Sequence, residues 1–256
     1  MSNYIRAFSQ DDIGIIQLDR PEVLNALNRE MVDEIVAQLE SFDQNNAIRV
    51  MIIKGNEKAF AAGADIEEMV HSTPLSLEMV NPFAVWDRIS LIKKPIIAVV
   101  NGFALGGGFE LALHCDLIVA AEDAKFGFPE VKLGVMPGAG GTQFLTKAMG
   151  PRKALEFIWL GEPMPAKIAY QFGIVNRLVA PELVEEEAMR LAYQLALQPP
   201  ISLRLIKEAV HAAVDLSLQD GKNLERKNFY IAFASEDQKE GMQAFTEKRP
   251  PTFRGM

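Results

Sequence analysis

The sequence predicts an α/β fold that gives way, near residue 180, to an all-helical section. Three observations carry this. Short apolar runs rich in β-branched residues recur at Ile13–Leu18, Val50–Lys54, Ile96–Val100 and residues 116–121. Strand, helix and strand of the length seen between residues 13 and 54 imply a βαβ crossover and a parallel sheet. Beyond Pro181 the strand signals stop, and four helical patterns follow one another.

Each element has its own local reason. Ile13–Leu18 is a strand ended by Arg20-Pro21. Met31, Val32, Ile35, Leu39 and Phe42 then recur at helical spacing, with Glu30, Asp33, Glu34 and Glu40 on the opposite face. Val50–Lys54 is a second strand, stopped by Gly55-Asn56. A loop of small residues leads from it into a short helix that starts at Ile66, with Asp65 placed to cap it. Residues 75–92 read as one irregular helix, interrupted by Pro82, in a segment that is either mobile or turned to a ligand. Ile96–Val100 is the third strand, and residues 116–121 form the next. Residues 125–141 are rich in glycine and proline and read as extended pieces and loops. Helices follow at 142–149, where Gly150 ends one and Pro151 opens another, and at 165–172, closed by Gly173; residues 174–179 make a last short strand. The helical section comprises 182–198, 201–216, 218–234 and 236–247, the last with Ser235 and Gln238 spaced as a capping box. The chain therefore divides into a core at 1–180 and a helical section at 181–256.

Composition narrows the function. Hydrophobic residues make up 49% of 256, enough for a large core, and the net charge of −8 disfavours nucleic acid or an anionic membrane as partner. An anionic ligand would have to be held by local donors against the global field. The single cysteine, Cys115, cannot form an internal disulfide and sits in an apolar stretch, as a small core residue does. The three histidines are scattered, so no metal site is expected. The N-terminus lacks the basic flank and apolar run of a signal peptide, and no apolar stretch spans a membrane, which places the protein in the cytoplasm.

The chemistry gathers at residues 94–115. The strand Ile96–Val100 turns at Asn101-Gly102, reaches Gly106, Gly107 and Gly108, and runs into a buried helix carrying Glu110. A helix start leaves N–H groups without partners, and glycine lets another molecule approach them. Amides beside a carboxylate suit stabilisation of an oxyanion together with proton transfer. An acid in a first helical turn also simply complements the dipole. Two more small-residue loops, at 61–64 and 137–141, follow strands and would converge with the first beyond the sheet's C-terminal edge. Nucleotide and hydrolase signatures fail at these glycines: Gly108 stands where a phosphate loop needs lysine, and Leu111 and Gln143 where a dinucleotide motif needs its third glycine. Glu130 follows Phe128-Pro129, and an apolar surround there would raise its pKa towards neutrality. Taken alone, it also fits an ordinary loop glutamate.

Three stretches together, AFAAGADIEEM from Ala59, AVVNGFALGGGFELALHCDLIVA from Ala98 and FGFPEVKLGVMPGAGGTQFLTKAMG from Phe126, resemble the enoyl-CoA hydratase/isomerase family, the crotonases. The likeness runs over essentially the whole chain. It implies a crotonase-like spiral, a ββα superhelix, whose C-terminal helices build trimers or dimers of trimers. It implies an acyl-CoA thioester as substrate and no separate cofactor, coenzyme A being part of the substrate. By motif position Ala64 and Gly107 resemble the two oxyanion-hole donors, and Glu110 and Glu130 the paired catalytic acids of the hydratases. The same likeness places Ala62, Asp65, Ile66 and Gly138 with them along the acyl-CoA, and Lys248 as a cation lent by a neighbouring subunit. Three departures stand out. Glu22 and Glu67 occupy places where relatives carry lysines near the CoA phosphates, and Phe128 replaces a glutamine common in hydratases. A double-bond isomerase or another acyl-CoA lyase uses the same pocket and is the enzymatic alternative. RNA binding, known in one branch through a lysine-rich helix, is disfavoured here, because the matching residues 28–45 are acidic, with Arg29 their only cation.

Overall fold

The structure, a computed structural model, describes residues 4–256. β1 (Ile5–Gln10) and β2 (Ile13–Leu18) form an antiparallel hairpin. β1 is largely exposed, so it lacks the apolar run that marks the other strands. The helix α1 (Arg29–Gln44) follows, capped by the Asn28 side chain and burying Met31, Val32, Ile35, Val36, Leu39 and Phe42. Every residue of the predicted apolar stripe is in that buried set.

Three turns of a spiral come next, each giving one strand to each of two sheets before its helices. The first holds β3 (Val50–Lys54), β4 (Ala59–Ala61) and the short helices α2 (Ile66–Met69), α3 (Pro74–Val80) and α4 (Ala84–Asp87). The second holds β5 (Ile96–Val100), β6 (Phe103–Leu105) and α5 (Gly107–His114). The third holds β7 (Leu117–Ala121), β8 (Lys125–Gly127), α6 (Gly141–Met149) and α7 (Pro151–Leu160). β9 (Met164–Pro165), α8 (Ala166–Gln171) and β10 (Arg177–Val179) close both sheets. The larger sheet runs β1-β2-β3-β5-β7-β10, parallel from β2 onward; the smaller runs β4-β6-β8-β9, parallel except for β9. This is the ββα spiral.

Of the smaller sheet, β4 and β6 read as loop in the sequence, β8 falls within residues read as extended pieces and loops, and β9 ends at Pro165, where a helix is expected to begin. Its strands are two or three residues long, too short to show a period of two. The expected helix over 75–92 is also corrected. It breaks into α3, α4 and a 3-10 turn over Arg88–Leu91, because Asn81 ends α3 in a left-handed conformation (φ 45°) just before Pro82.

The C-terminal helices are α9 (Val184–Ala196), α10 (Pro200–Ala212), α11 (Leu218–Phe233) and α12 (Glu236–Glu247). Although α9 lies beyond residue 180, its Val184, Ala188, Leu191, Ala192 and Ala196 belong to the main core. Helices α10 to α12 stand apart from that core and leave Ile206, Val210, Phe229, Phe233, Met242 and Phe245 exposed. Ser235 caps α12 through the Gln238 N–H. The return half of a capping box is missing, since the Gln238 side chain turns to Met242. No helix among the described residues is long and apolar enough to cross a membrane.

Candidate active site

The site stands at the C-terminal ends of three neighbouring parallel strands of the smaller sheet. Residues 62–65 follow β4, Gly106 and Gly107 follow β6, and Glu130 follows β8. Adjacent parallel strands end at one edge, so loops far apart in sequence meet there. Of the three loops expected to converge, those at 61–64 and 105–108 meet here, on short strands; the third, at 137–141, follows a 3-10 turn and joins them through the Ala139 and Gly141 bonds to Glu110.

Ala64 owes the direction of its amide to a one-residue bridge. Leu27 pairs with it in parallel fashion, donating its N–H to the Gly63 carbonyl and accepting the Asp65 N–H at 2.8 and 2.9 Å. Neighbouring amides in extended backbone point to opposite sides. The Ala64 N–H is thus turned away from Leu27, and it donates to no protein acceptor among the described residues. It faces α5: a methyl group built on Gly107 would lie 3.7 Å from the Ala64 nitrogen. Gly107 opens α5, so its own N–H is among those a helix leaves unpaired, and it too has no protein acceptor among the described residues. Two free amides from separate turns of the spiral stand side by side.

The glycines make this approach possible. Gly108 packs against β4, where a β-carbon would come within 2.2 Å of the Ala61 carbonyl oxygen. Gly106 has φ +50°, and a β-carbon there would sit 3.0 Å from a Glu130 carboxyl oxygen. Glu130 thus lies directly beside the loop that presents the Gly107 amide.

The two acids are held differently. Glu110 is 4% exposed, and its Oε1 accepts the N–H groups of Ala139 and Gly141 at 2.7 and 2.8 Å. Burial raises its pKa, and the two amides pull against that rise by favouring the ionised form. Glu130 has a buried Oε2 with no partner at all. Burial pushes its pKa up to about 7, its own backbone N–H opposes this, and the charge on Glu110 adds to the rise. An acid gripped by two amides beside one that retains its proton towards neutral pH is an arrangement that can take and give protons.

A family model described as enoyl-CoA hydratase/isomerase matches residues 9–256. The chain belongs to the enoyl-CoA hydratase/isomerase family. It is 45% identical over 246 residues to a probable enoyl-CoA hydratase of Rhizobium meliloti, covering 96% of each chain. It is 41% identical over 247 residues to the 2,3-dehydroadipyl-CoA hydratase of Escherichia coli, again covering 96% of each. Among solved structures, an enoyl-CoA hydratase subunit of Geobacillus kaustophilus superposes with a TM-score of 0.97 at 63% identity, over 99% of this chain and 98% of that one. An enoyl-CoA hydratase of Bacillus anthracis gives 0.94 at 34% identity, over 99% and 100%.

The remaining residues singled out for this family member spread more widely. Asp65 caps α2 through the Glu67 N–H, and its other oxygen pairs with Arg20 at 3.0 Å. Ala62 donates its N–H to the Leu24 carbonyl, and Ile66 opens α2, half exposed. Gly138 lies against the Phe83 ring, while the amides that grip Glu110 come from the residues just after it, Ala139 and Gly141. Lys248 is exposed at the left-handed C-cap of α12. Phe128 is 2% exposed, stacked on Phe109 at 4.9 Å and pressed beneath Gly141. It backs the loop that holds Glu110.

Sequence reasoning missed the Ala139 and Gly141 amides, Arg20 and His114. Main-chain donors carry no side-chain signature. His114 did offer a signal, standing four residues after Glu110 on one helix face.

Proposed function

We propose that the protein hydrates trans-2-enoyl-CoA thioesters to 3-hydroxyacyl-CoA by syn addition of water. The observation that carries this reading is the pair of unpaired amides, Ala64 and Gly107, beside two acids tuned in different ways. The amides donate to the thioester carbonyl oxygen and stabilise the enolate that forms, about 3–4 kcal/mol for one strong donor. Withdrawal of electrons leaves the β-carbon open to attack. Glu110, ionised and aimed by its two amides, takes a proton from water as the oxygen bonds to the β-carbon. Glu130, protonated near neutral pH, gives its proton to the α-carbon. One proton and one hydroxyl are added, and the proton on Glu110 returns to Glu130 to reset the pair. Two coupled carboxyls titrate together, so a pH–rate profile reports on the pair.

Exposed apolar side chains of α2 to α4, among them Ile66, Met69, Leu75 and Met79, offer surface to the acyl chain. The exposed faces of α10 to α12 fit contact with further copies in a trimer or dimer of trimers. In that assembly Lys248 reaches the CoA phosphates of a neighbouring site, which Glu22 and Glu67 cannot bind. A cytoplasmic setting accords with a lone, buried Cys115 thiol.

The test is loss of conjugated-thioester absorbance with crotonyl-CoA. Wild type is expected to turn over, and Glu110→Gln and Glu130→Gln each to lose roughly 10²- to 10⁴-fold in rate. Turnover of a 3-enoyl-CoA with no hydration would make the protein an isomerase instead.

A further inference from the structure

Helix α5 presents two side chains to one loop. Glu110 and His114 are four residues apart, on the same helix face. Glu110 accepts the Ala139 N–H at 2.7 Å, and His114 Nε2 lies 2.9 Å from the Ala139 carbonyl oxygen. A carbonyl offers only lone pairs, so Nε2 carries the proton and donates. A single residue of the loop is therefore held at both of its polar ends by one helix. The imidazole is itself fixed, edge-on to Phe144 at 4.9 Å and tilted against Trp86 at 5.8 Å.

We propose that His114 is a positioning residue for the reaction: it anchors the Ala139 carbonyl so that the Ala139 and Gly141 amides stay aimed at Glu110. This rests on Glu110 being the group that activates water. Without the anchor, the loop at 137–141 keeps its packing on Phe83 and Phe128 but loses the bond that sets the tilt of the Ala139 residue. The Glu110 carboxylate then loses donors, and its reactive oxygen wanders by a distance that matters for a near-attack geometry.

The charged groups around the clamp are few. Asp87, at the end of α4, favours the protonated imidazole, while burial, the larger effect, disfavours it. Glu130 faces Glu110. Lys147 on α6 is paired with Asp215 at the surface, Arg88 is paired with Glu40, and β4 and β6 carry no titratable side chain. An acid limb in the rate profile therefore belongs to the coupled Glu110–Glu130 pair, and loss of donors to Glu110 moves it to higher pH.

Two substitutions separate positioning from packing. Glutamine can place an N–H where histidine has Nε2; phenylalanine fills the volume and offers none. His114→Phe is expected to lose ~10- to ~100-fold in kcat on crotonyl-CoA, with KM nearly unchanged and the acid limb moved to higher pH. His114→Gln is expected to stay near wild type in all three. If His114→Phe does not fold, His114→Leu takes its place. Amide hydrogen exchange without substrate reads the clamp directly: the Ala139 and Gly141 amides should exchange faster in the apolar variant and not in His114→Gln. Equal exchange at those two amides in all three proteins overturns the proposal, as does equal loss of rate in both variants with an unmoved acid limb. A wild type that does not hydrate crotonyl-CoA would sink the hydration reading, and exchange alone would still decide the clamp.

Discussion

Glu130 shows how a single residue trades stability for chemistry. Its folded-state pKa is raised from 4.5 to about 7, so the folded protein holds a proton there that the unfolded chain has released. The stabilising contribution is complete below the unfolded value and is lost as pH rises through about 7. At pH 8 the folded state carries an ionised carboxylate whose Oε2 has no partner. An unscreened shift of this size corresponds to ~3 kcal/mol, and partial exposure to solvent reduces it to ~1 kcal/mol. Glu130→Gln should therefore raise Tm at pH 8 by about 2–4 °C while abolishing most turnover, and the gain should vanish at pH 4.5. Thermal melts of the two proteins at both pH values check this. Glu110 is secured by two amides that Glu130 lacks, which is why the proton is assigned to Glu130 and the charge to Glu110.

At the scale of elements, the proposed oxyanion pocket depends on a bridge one residue long. Arg20 braces it from two sides, donating to the Ala26 carbonyl at 2.6 Å and to Asp65 at 3.0 Å, with its guanidinium over the Tyr4 ring. Ala26 precedes Leu27 and Asp65 follows Ala64, so the fork spans both strands of the bridge. Lysine keeps the charge but cannot span two acceptors in the same plane. Arg20→Lys should lower kcat about tenfold, with a smaller change in KM, as measured by steady-state hydration. Much of this arrangement was legible in the sequence. The long strands announced themselves by their apolar runs, and the glycine triplet before Glu110 marked a place where backbone is offered to a ligand. The residue chemistry drew attention to Glu110 and, less sharply, to Glu130, whereas Ala64 was singled out only by its place in the family motif. The smaller sheet was legible only as extended pieces around β8, because three residues cannot display a period. The grip of Ala139 and Gly141 on Glu110 was hidden because main-chain amides leave no mark in composition. The packing of the Phe128 ring under Gly141 is a long-range contact that spacing does not encode.

At the scale of the whole molecule, two separate needs shape the chain. The spiral brings the loops of three turns to one edge, while α10 to α12 leave apolar faces that a lone subunit does not cover. The net charge of −8 opposes an anionic substrate, so in the proposed reading amide donors hold the thioester and a cation holds the phosphates. Lys248→Ala should raise KM for crotonyl-CoA several-fold with little change in kcat, and leave KM for the matching pantetheine thioester, which lacks the nucleotide, unchanged. Mixed oligomers of Lys248→Ala and Glu110→Gln chains should recover low-KM sites, if the lysine is lent across an interface. No recovery would place Lys248 at its own subunit's site or outside any site.

The most direct test of the account is the structure of the protein with acetoacetyl-CoA bound. The thioester oxygen should lie within about 2.7–3.1 Å of both the Ala64 and Gly107 nitrogens, with Glu110 and Glu130 on one face of the acyl carbons next to it. An oxygen held by neither amide, or acids on opposite faces of the chain, would contradict it.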